Sequence, residues 1–250
     1  MSPWFRTFAP RPAAALRLIC FPHAGGAASA YRGWAELLPP SIEVTAVQYP
    51  GRQDRIMVDP PADMDTLVRG ITAEIGPLLD RPVAFFGHSM GGTVGYEVAR
   101  ALPRELRPAL VHFFPSARKA PHDCAPLAPE YRGDEGILRY VAGLGGNAGL
   151  LVAHEELREL ALYVLRADFH LIDTYAHRPG APLACPVTAV TGSYDAACTS
   201  ADAAAWATYT TGAFDRRELP GGHFYLESAP EELMALLADT LLPVTASAAR

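Results

Sequence analysis

Three side chains in this sequence have the types and the order that nucleophilic acyl transfer needs: Ser89 in a glycine frame, then Asp195, then His223. The frame reads Gly87-His88-Ser89-Met90-Gly91-Gly92, preceded by an apolar run at 83–86 and followed by helical spacing. A G-x-S-x-G match alone is a weak signal. Its physical sense is a strand-to-helix turn so tight that Gly87 and Gly91 must be small, which lifts the Ser89 hydroxyl above a sheet. Gly92 and Gly95 are expected to let the helix approach the strand, with Val94 and Val98 facing inward. A serine is inert without a base. Asp195 ends the loop Thr191-Gly192-Ser193-Tyr194-Asp195 after a strand-like run at 187–190, and His223 lies in Pro220-Gly221-Gly222-His223-Phe224 after a last strand at 217–219. A lone loop histidine is ordinarily a solvated surface residue, and only its conjunction with Ser89 and Asp195 reverses that reading. Asp168, Asp173, His170 and His177 are weaker candidates because they fall in or after a helical segment rather than at a strand end. Asp202 belongs to the helix expected after Asp195, Asp215 is only a sequence neighbour, and His88 is the variable residue of the turn, expected to point away from the reacting group. A developing oxyanion needs donors. The Met90 amide at a helix start is one, and Ala24 in the glycine-bearing loop Pro22-His23-Ala24-Gly25-Gly26 is the other.

Strand-like runs at 16–21, 42–48, 83–86, 110–114 and 187–190 alternate with helical spacing at 30–38, 64–79 and 92–102, the pattern of βαβ units around a parallel sheet. Between 116 and 183 no strand-like run occurs. Ile137, Leu138, Val141 and Leu144 fall at helical spacing, as do Leu157, Leu160, Leu162 and Leu165, with Gly145 and Gly146 ending the first helix. Such an insertion suits a second domain, a packing layer or a lid. The last helix is expected to begin at Ser228-Ala229-Pro230-Glu231, with Ser228 as cap and Leu233, Leu236, Leu237 and Leu241 as the buried stripe.

The 250 residues are 50% hydrophobic and 19% charged, enough for one sizeable core and too apolar for a solvating segment. With 21 basic and 27 acidic residues the net charge is −6, so no bulk positive field would hold nucleic acid. Lys119 is the only lysine. Cys20, Cys124, Cys185 and Cys198 stand far apart without metal-ligand spacing, and they read as reduced thiols. Arg17 breaks the only apolar stretch near the N-terminus, and no run approaches the roughly 18 residues of a membrane span. A cytoplasmic monomer without membrane or nucleic-acid partners is expected.

The motifs Phe21-Pro22-His23-Ala24-Gly25-Gly26, Gln48-Tyr49-Pro50-Gly51-Arg52, Gly87-His88-Ser89-Met90-Gly91-Gly92, Arg166-Ala167-Asp168, Cys185-Pro186-Val187-Thr188 and Gly221-Gly222-His223-Phe224 together resemble the type II thioesterases of polyketide and nonribosomal peptide synthases. The similarity runs from about residue 16 to the final helix. It implies an α/β-hydrolase fold in a single domain, a mostly parallel sheet flanked by helices with a helical lid at about 116–183, and Ser89, Asp195 and His223 as a triad. It implies Ala24 and Met90 as oxyanion donors and no cofactor, since the substrate carries phosphopantetheine. The implied partners are acyl or peptidyl carrier proteins, and the implied role is to remove stalled or aberrant acyl units. Medium-chain fatty acyl carrier-protein thioesterases share most of these motifs, and a carboxylesterase or lipase would use the same triad. A noncatalytic binding protein of this fold is the remaining class, against which an intact triad speaks. Relatives tend to carry Ser-Gly-Arg-Arg-Ala-Pro where this chain has Ser116-Ala117-Arg118-Lys119-Ala120-Pro121, a departure that bears on the entry to the lid. Because carrier proteins are commonly acidic, Arg52, Arg55, Arg118 and Lys119 are the residues considered for local docking.

Overall fold

The computed structural model describes residues 2–145 and 155–248. In chain order the strands are β1 (Phe5–Arg6), β2 (Leu16–Phe21), β3 (Ile42–Val47), β4 (Val83–His88), β5 (Leu110–Ser116), β6 (Val187–Gly192) and β7 (Phe214–Leu219). The helices are α1 (Trp34–Leu37), α2 (Met64–Ile75), α3 (Met90–Ala101), α4 (Gly133–Leu144), α5 (Glu155–Thr174), α6 (Ser200–Ala204), α7 (Tyr225–Ser228) and α8 (Pro230–Ala248). The strands form one sheet in the order β1-β3-β2-β4-β5-β6-β7, parallel except for β1.

Every residue of β2, β3, β4 and β6 is buried, as expected of parallel strands covered on both faces. Alternate side chains feed two apolar layers. Ile19, Phe21 and Phe85 pack with Leu67 and Ile71 of α2, Val94 and Val98 of α3, and Leu165 and Phe169 of α5. Leu18, Cys20 and Phe86 pack with Trp34 of α1 and with Leu233 and Leu237 of α8. β7 is an edge strand whose Asp215, Arg216, Arg217 and Glu218 are exposed, and those charges discourage pairing with another chain.

Several boundaries differ from the sequence reading for local reasons. Helix α2 begins where Asp63 accepts the Thr66 amide at 2.6 Å, and it gives way at Gly76-Pro77 to a 3-10 turn, because proline has no amide to continue the ladder. The 30–38 segment is a 3-10 turn (Ala28–Tyr31) followed by the short α1. Ser228 does not cap α8: its hydroxyl donates to the Tyr225 carbonyl at 3.4 Å and closes α7. Leu233, Leu237 and Leu241 form the buried stripe of α8, with Leu236 only partly covered. On α5, Leu162 and Leu165 are buried but Leu160 is 58% exposed, on the opposite face. The Leu157 side chain and Gly146 lie outside the described residues, while Gly145 ends α4 at φ +85°. In its described part the segment between β5 and β6 carries two 3-10 turns, at 121–123 and 129–131, then α4 and α5, and it runs without helix over 175–186. Among the described residues no helix is long and apolar enough to cross a membrane.

His112 on β5 links the fold to pH. Its Nε2 lies 2.9 Å from the Thr188 hydroxyl and its ring stacks on Phe114 at 4.3 Å. Burial pushes its pKa down from 6.5 to about 4, against a small opposing pull from Asp215. The unfolded chain takes up this proton near pH 6.5 and the folded chain does not until about 4. The stabilisation is therefore complete above 6.5 and is lost as the pH falls toward 4, by roughly 3 kcal/mol in all. His112→Phe is expected to flatten that part of the curve when unfolding free energies from urea titrations at pH 7 and pH 4.5 are compared; an unchanged difference would exclude His112 as its source.

Candidate active site

The chain leaves β2 toward β3 on one side, whereas the strands after β4 build outward on the other, so the strand order reverses between β2 and β4. The crevice above the carboxyl ends of strands at such a point is where α/β sheets place their chemistry. Phe21 stands opposite Gly87 in the ladder, so the 22–28 loop and the turn bearing Ser89 emerge side by side. A Cβ at Gly87 would lie 2.2 Å from the Gly91 carbonyl oxygen, and one at Gly91 would lie 2.0 Å from the Phe21 carbonyl oxygen. The first glycine is thus required by the turn itself and the second by the neighbouring strand. Gly92 and Gly95 instead make room for side chains, those of Arg118 and of Phe113 and Phe21. Ser89 adopts φ +53°, ψ −120°, a costly conformation for a residue with a Cβ, and its amide is held by the Ser116 carbonyl at 2.8 Å.

The loops after β6 and β7 clasp each other. The Ser193 and Tyr194 amides donate to the Leu219 and Gly221 carbonyls, both at 2.8 Å, and a Cβ at Gly192 would lie 2.1 Å from the Gly222 carbonyl oxygen. This clasp brings Asp195 and His223 together. Asp195 Oδ1 accepts the Ala197 and Cys198 amides at 2.9 and 3.2 Å, while its Oδ2 lies 2.9 Å from His223 Nδ1. Both side chains are buried, and His223 Nε2 has no hydrogen-bond partner among the described residues. Ser89 and His223 line one cavity of about 150 Å³ together with Ala117, Arg118, Lys119, Tyr140 and Ala197. A hollow of about 220 Å³ and a cleft of about 500 Å³ lie elsewhere and contain none of Ser89, Asp195 and His223. The Met90 amide stands at the first position of α3 and the Ala24 amide in the 22–28 loop; among the described residues neither finds an acceptor.

The other residues considered from sequence go elsewhere. Asp173 accepts the Leu127 amide at 2.8 Å, Asp202 forms a capping box with Thr199 at the start of α6, and Asp215 is exposed on β7. His177 lies 3.9 Å from Glu97, and His170 is exposed. His88 is nearer the chemistry than expected. Its ring centre is 5.2 Å from that of His223, yet its Nδ1 is engaged at 2.8 Å by Ser116 Oγ, itself 2.5 Å from the Tyr225 hydroxyl. His23, His88 and His223 surround the Phe224 ring at 5.1, 5.5 and 5.3 Å. Burial, then the charge of His223, then Arg52 lowers the pKa of His23 to about 4, and burial holds His88 well below its usual value. Of these three rings, His223 is the one with a carboxylate beside it.

Two arginines considered for docking are internal: Arg52 is 4% and Arg55 8% exposed. Arg52 pairs with Asp168, which is no partner of the histidine and serves instead at the 22–28 loop. The Gln48-Tyr49-Pro50-Gly51-Arg52 and Arg166-Ala167-Asp168 motifs were the available signals for this pair, but nothing local joins them. Ala117 holds a left-handed φ of +48°, a conformation that costs a residue with a Cβ about 1 kcal/mol. Arg118 Nε donates to Thr93 Oγ1 at 2.8 Å, and Lys119 lies 3.3 Å from Asp202. Among the described residues no group of three or more His, Cys, Asp or Glu side chains is placed to hold a metal.

A mostly parallel sheet with a serine on the tight turn after its central strand, and a histidine and an aspartate at later strand ends, defines an α/β-hydrolase. The thioesterase domain model matches residues 16–241, and the chain belongs to that family. It is 37% identical over 240 residues to thioesterase PikA5 of Streptomyces venezuelae, covering 96% of this chain and 85% of the relative. Among solved structures it is similar to the RedJ thioesterase of the prodiginine pathway in Streptomyces coelicolor, with a TM-score of 0.85, 38% identity, and coverage of 92% of this chain and 87% of that one. It is likewise similar to the type II thioesterase BorB of the borrelidin cluster, with a TM-score of 0.83, 37% identity, and coverage of 95% and 97%.

Proposed function

We propose that this thioesterase hydrolyses acyl groups from the phosphopantetheine thiol of acyl or peptidyl carrier proteins, clearing stalled or aberrant units from a polyketide or nonribosomal peptide synthase. The observation that carries the reading is the His223–Asp195 contact, which occupies Nδ1 and leaves a buried, unpartnered Nε2 in the cavity that also holds Ser89. Nε2 takes the Ser89 proton as Oγ attacks the thioester carbonyl, and Asp195 stabilises the cationic ring. The Ala24 and Met90 amides receive the oxyanion. Collapse breaks the carbon–sulfur bond; the thiolate, which at a thiol pKa of about 8.5 needs little help to leave, takes the proton from His223 Nε2 and departs as the thiol, which returns His223 to its neutral form. Water, deprotonated by His223, then attacks the acyl-serine, releasing the carboxylic acid and restoring Ser89. Every catalytic group in this scheme belongs to this chain, which acts as a cytoplasmic monomer in one domain, with the segment between β5 and β6 that carries α4 and α5 as its lid. Relatives whose names place them in gramicidin S biosynthesis, in the borrelidin biosynthetic cluster and in the yersiniabactin NRPS/PKS pathway support the substrate class.

The test is hydrolysis of matched acyl groups carried on pantetheine, coenzyme A, a carrier protein and an oxygen alcohol. A higher kcat/KM on thioesters than on oxygen esters, rising again on the carrier protein, is expected; a preference for the oxygen ester would make the chain a carboxylesterase. Lys119, at the cavity rim and 39% exposed, gives a local version of the same test. Lys119→Glu is expected to lower the rate on carrier-bound acyl groups several-fold, roughly the effect of one rim charge on association, and to spare N-acetylcysteamine thioesters. Equal changes on both substrates would remove Lys119 from docking.

A further inference from the structure

The helix α5 and the 22–28 loop are joined by a buried charge cluster that no step of the proposed reaction uses. Asp168 is 1% and Arg52 4% exposed. Arg52 Nη2 donates to Asp168 Oδ1 at 2.6 Å and Nη1 to Oδ2 at 2.8 Å, and Nη1 also reaches the Gly26 carbonyl at 2.8 Å. The same Oδ2 accepts the Gly25 amide at 2.7 Å. One turn earlier on α5, Leu165 lies against Gly25: a Cβ there would be 2.8 Å from Leu165 Cδ2, and the φ of +78° independently favours glycine. The rest of the loop is tied to the end of β3, through Tyr49 Oη donating to the Pro22 carbonyl at 3.3 Å and Gln48 Oε1 accepting the Ala28 amide at 2.9 Å. Its middle, immediately after Ala24, is tied to α5.

We infer that Asp168 is a positioning residue through which the seating of α5 assembles the oxyanion hole. The carboxylate fixes the peptide on the C-terminal side of Ala24, and with it the direction of the Ala24 amide. When α5 sits on the loop, Asp168 satisfies Gly25 and Arg52 together. When it lifts, the Gly25 amide loses its acceptor and Arg52 its carboxylate, keeping only the Gly26 and Pro50 carbonyls, and the donor to the oxyanion loses its restraint. A buried ion pair contributes little net stability against an apolar pair of the same shape, but it specifies geometry, which is the use made of it here. The inference rests on the proposed role of Ala24.

The experiment compares Asp168→Ala, Asp168→Asn and wild type for kcat and KM on an N-acetylcysteamine thioester and its matched oxygen ester. It also measures Ki for an acyl trifluoromethyl ketone, whose hemiketal oxygen occupies the oxyanion position. Rates are taken per folded molecule. Asp168→Ala is expected to lower kcat about 100-fold with KM nearly unchanged, and to weaken the ketone by a similar factor. Asp168→Asn, whose carbonyl can still accept the Gly25 amide, is expected to recover about 10-fold of both, although both variants lose the charge opposite Arg52 and melt earlier. A fall in Tm with kcat and Ki unchanged, or an Asn variant no better than Ala in kcat, would overturn the inference. If Asp168→Ala does not fold, Asp168→Asn against wild type decides: a parallel loss in kcat and Ki at constant KM supports it, and no loss in either overturns it. A wild-type enzyme that cleaves only the oxygen ester would refute the thioesterase substrate while leaving this comparison intact on the ester.

Discussion

Ser89→Ala lowers kcat by about 10⁴- to 10⁶-fold, the range expected when a nucleophile acting in concert with its base is removed. Folding should be spared. Ser89 is placed by its backbone, through the hydrogen bond its amide donates to the Ser116 carbonyl and the glycines on either side of the turn, and no described residue hydrogen-bonds its hydroxyl. Alanine keeps the Cβ and hence the same backbone strain, so Tm should move little. The measurement is rapid mixing with an excess of an activated acyl ester: wild type shows a pre-steady-state burst of up to one leaving group per site, and the variant shows none. Undiminished turnover would overturn the site assignment and the proposed function with it. Loss of turnover with retained folding would also exclude a noncatalytic binding protein.

Asp195→Asn is the second large effect, about 10³- to 10⁴-fold in kcat, and the direction follows from hydrogen-bond polarity. Asp195 Oδ1 is held by two backbone donors, the Ala197 and Cys198 amides. An asparagine here must keep its carbonyl oxygen toward those donors, which turns its NH₂ toward His223 Nδ1. Nδ1 must then accept, so the ring proton moves to Nε2 and the serine proton has nowhere to go. The carboxylate that would stabilise the ring cation is also gone. Asp195→Glu, which restores the charge but not the reach, should recover little. The checks are kcat on the thioester and the imidazole proton resonances, which report the tautomer. A variant retaining more than about a tenth of wild-type kcat would show that Asp195 does not set the tautomer.

Much of the site was legible because its requirements are local. Ser89 needs small residues two positions to either side, and the sequence has Gly87 and Gly91 there. Asp195 and His223 each follow a strand-like run. Met90 and Ala24, the proposed oxyanion donors, lie on turns that their glycine neighbours mark. Less was legible where two distant segments had to meet. Arg52 and Arg55 read as surface charges because an arginine in a glycine- and proline-rich loop is ordinarily solvated, and their burial depends on Asp168 and on the Trp4 ring, which Arg55 covers at 4.2 Å. Leu160 and Ser228 show the complementary error. Each fits a good one-dimensional pattern, a helical apolar stripe and a capping sequence, but the face actually covered and the bond actually made depend on the neighbouring chain.

The amino-acid sequence sets, unaided, the alternation of strands and helices, the strained turn that presents Ser89, and the order serine, aspartate, histidine, because periodicity and glycine placement act over a few residues. It also determined, through a net charge of −6, that any carrier recognition must be local rather than steered by the whole molecule's field. The tertiary structure alone decided that β2 and β4 lie side by side, so that the 22–28 loop faces the Ser89 turn. It alone decided that the loops after β6 and β7 clasp to bring Asp195 within 2.9 Å of His223. It also joined Asp168 of α5 to Arg52 and Gly25 across more than a hundred residues of chain. Contacts at that separation are set by strand order and by which side chains can share a buried volume, and neither is written in any short stretch of residues.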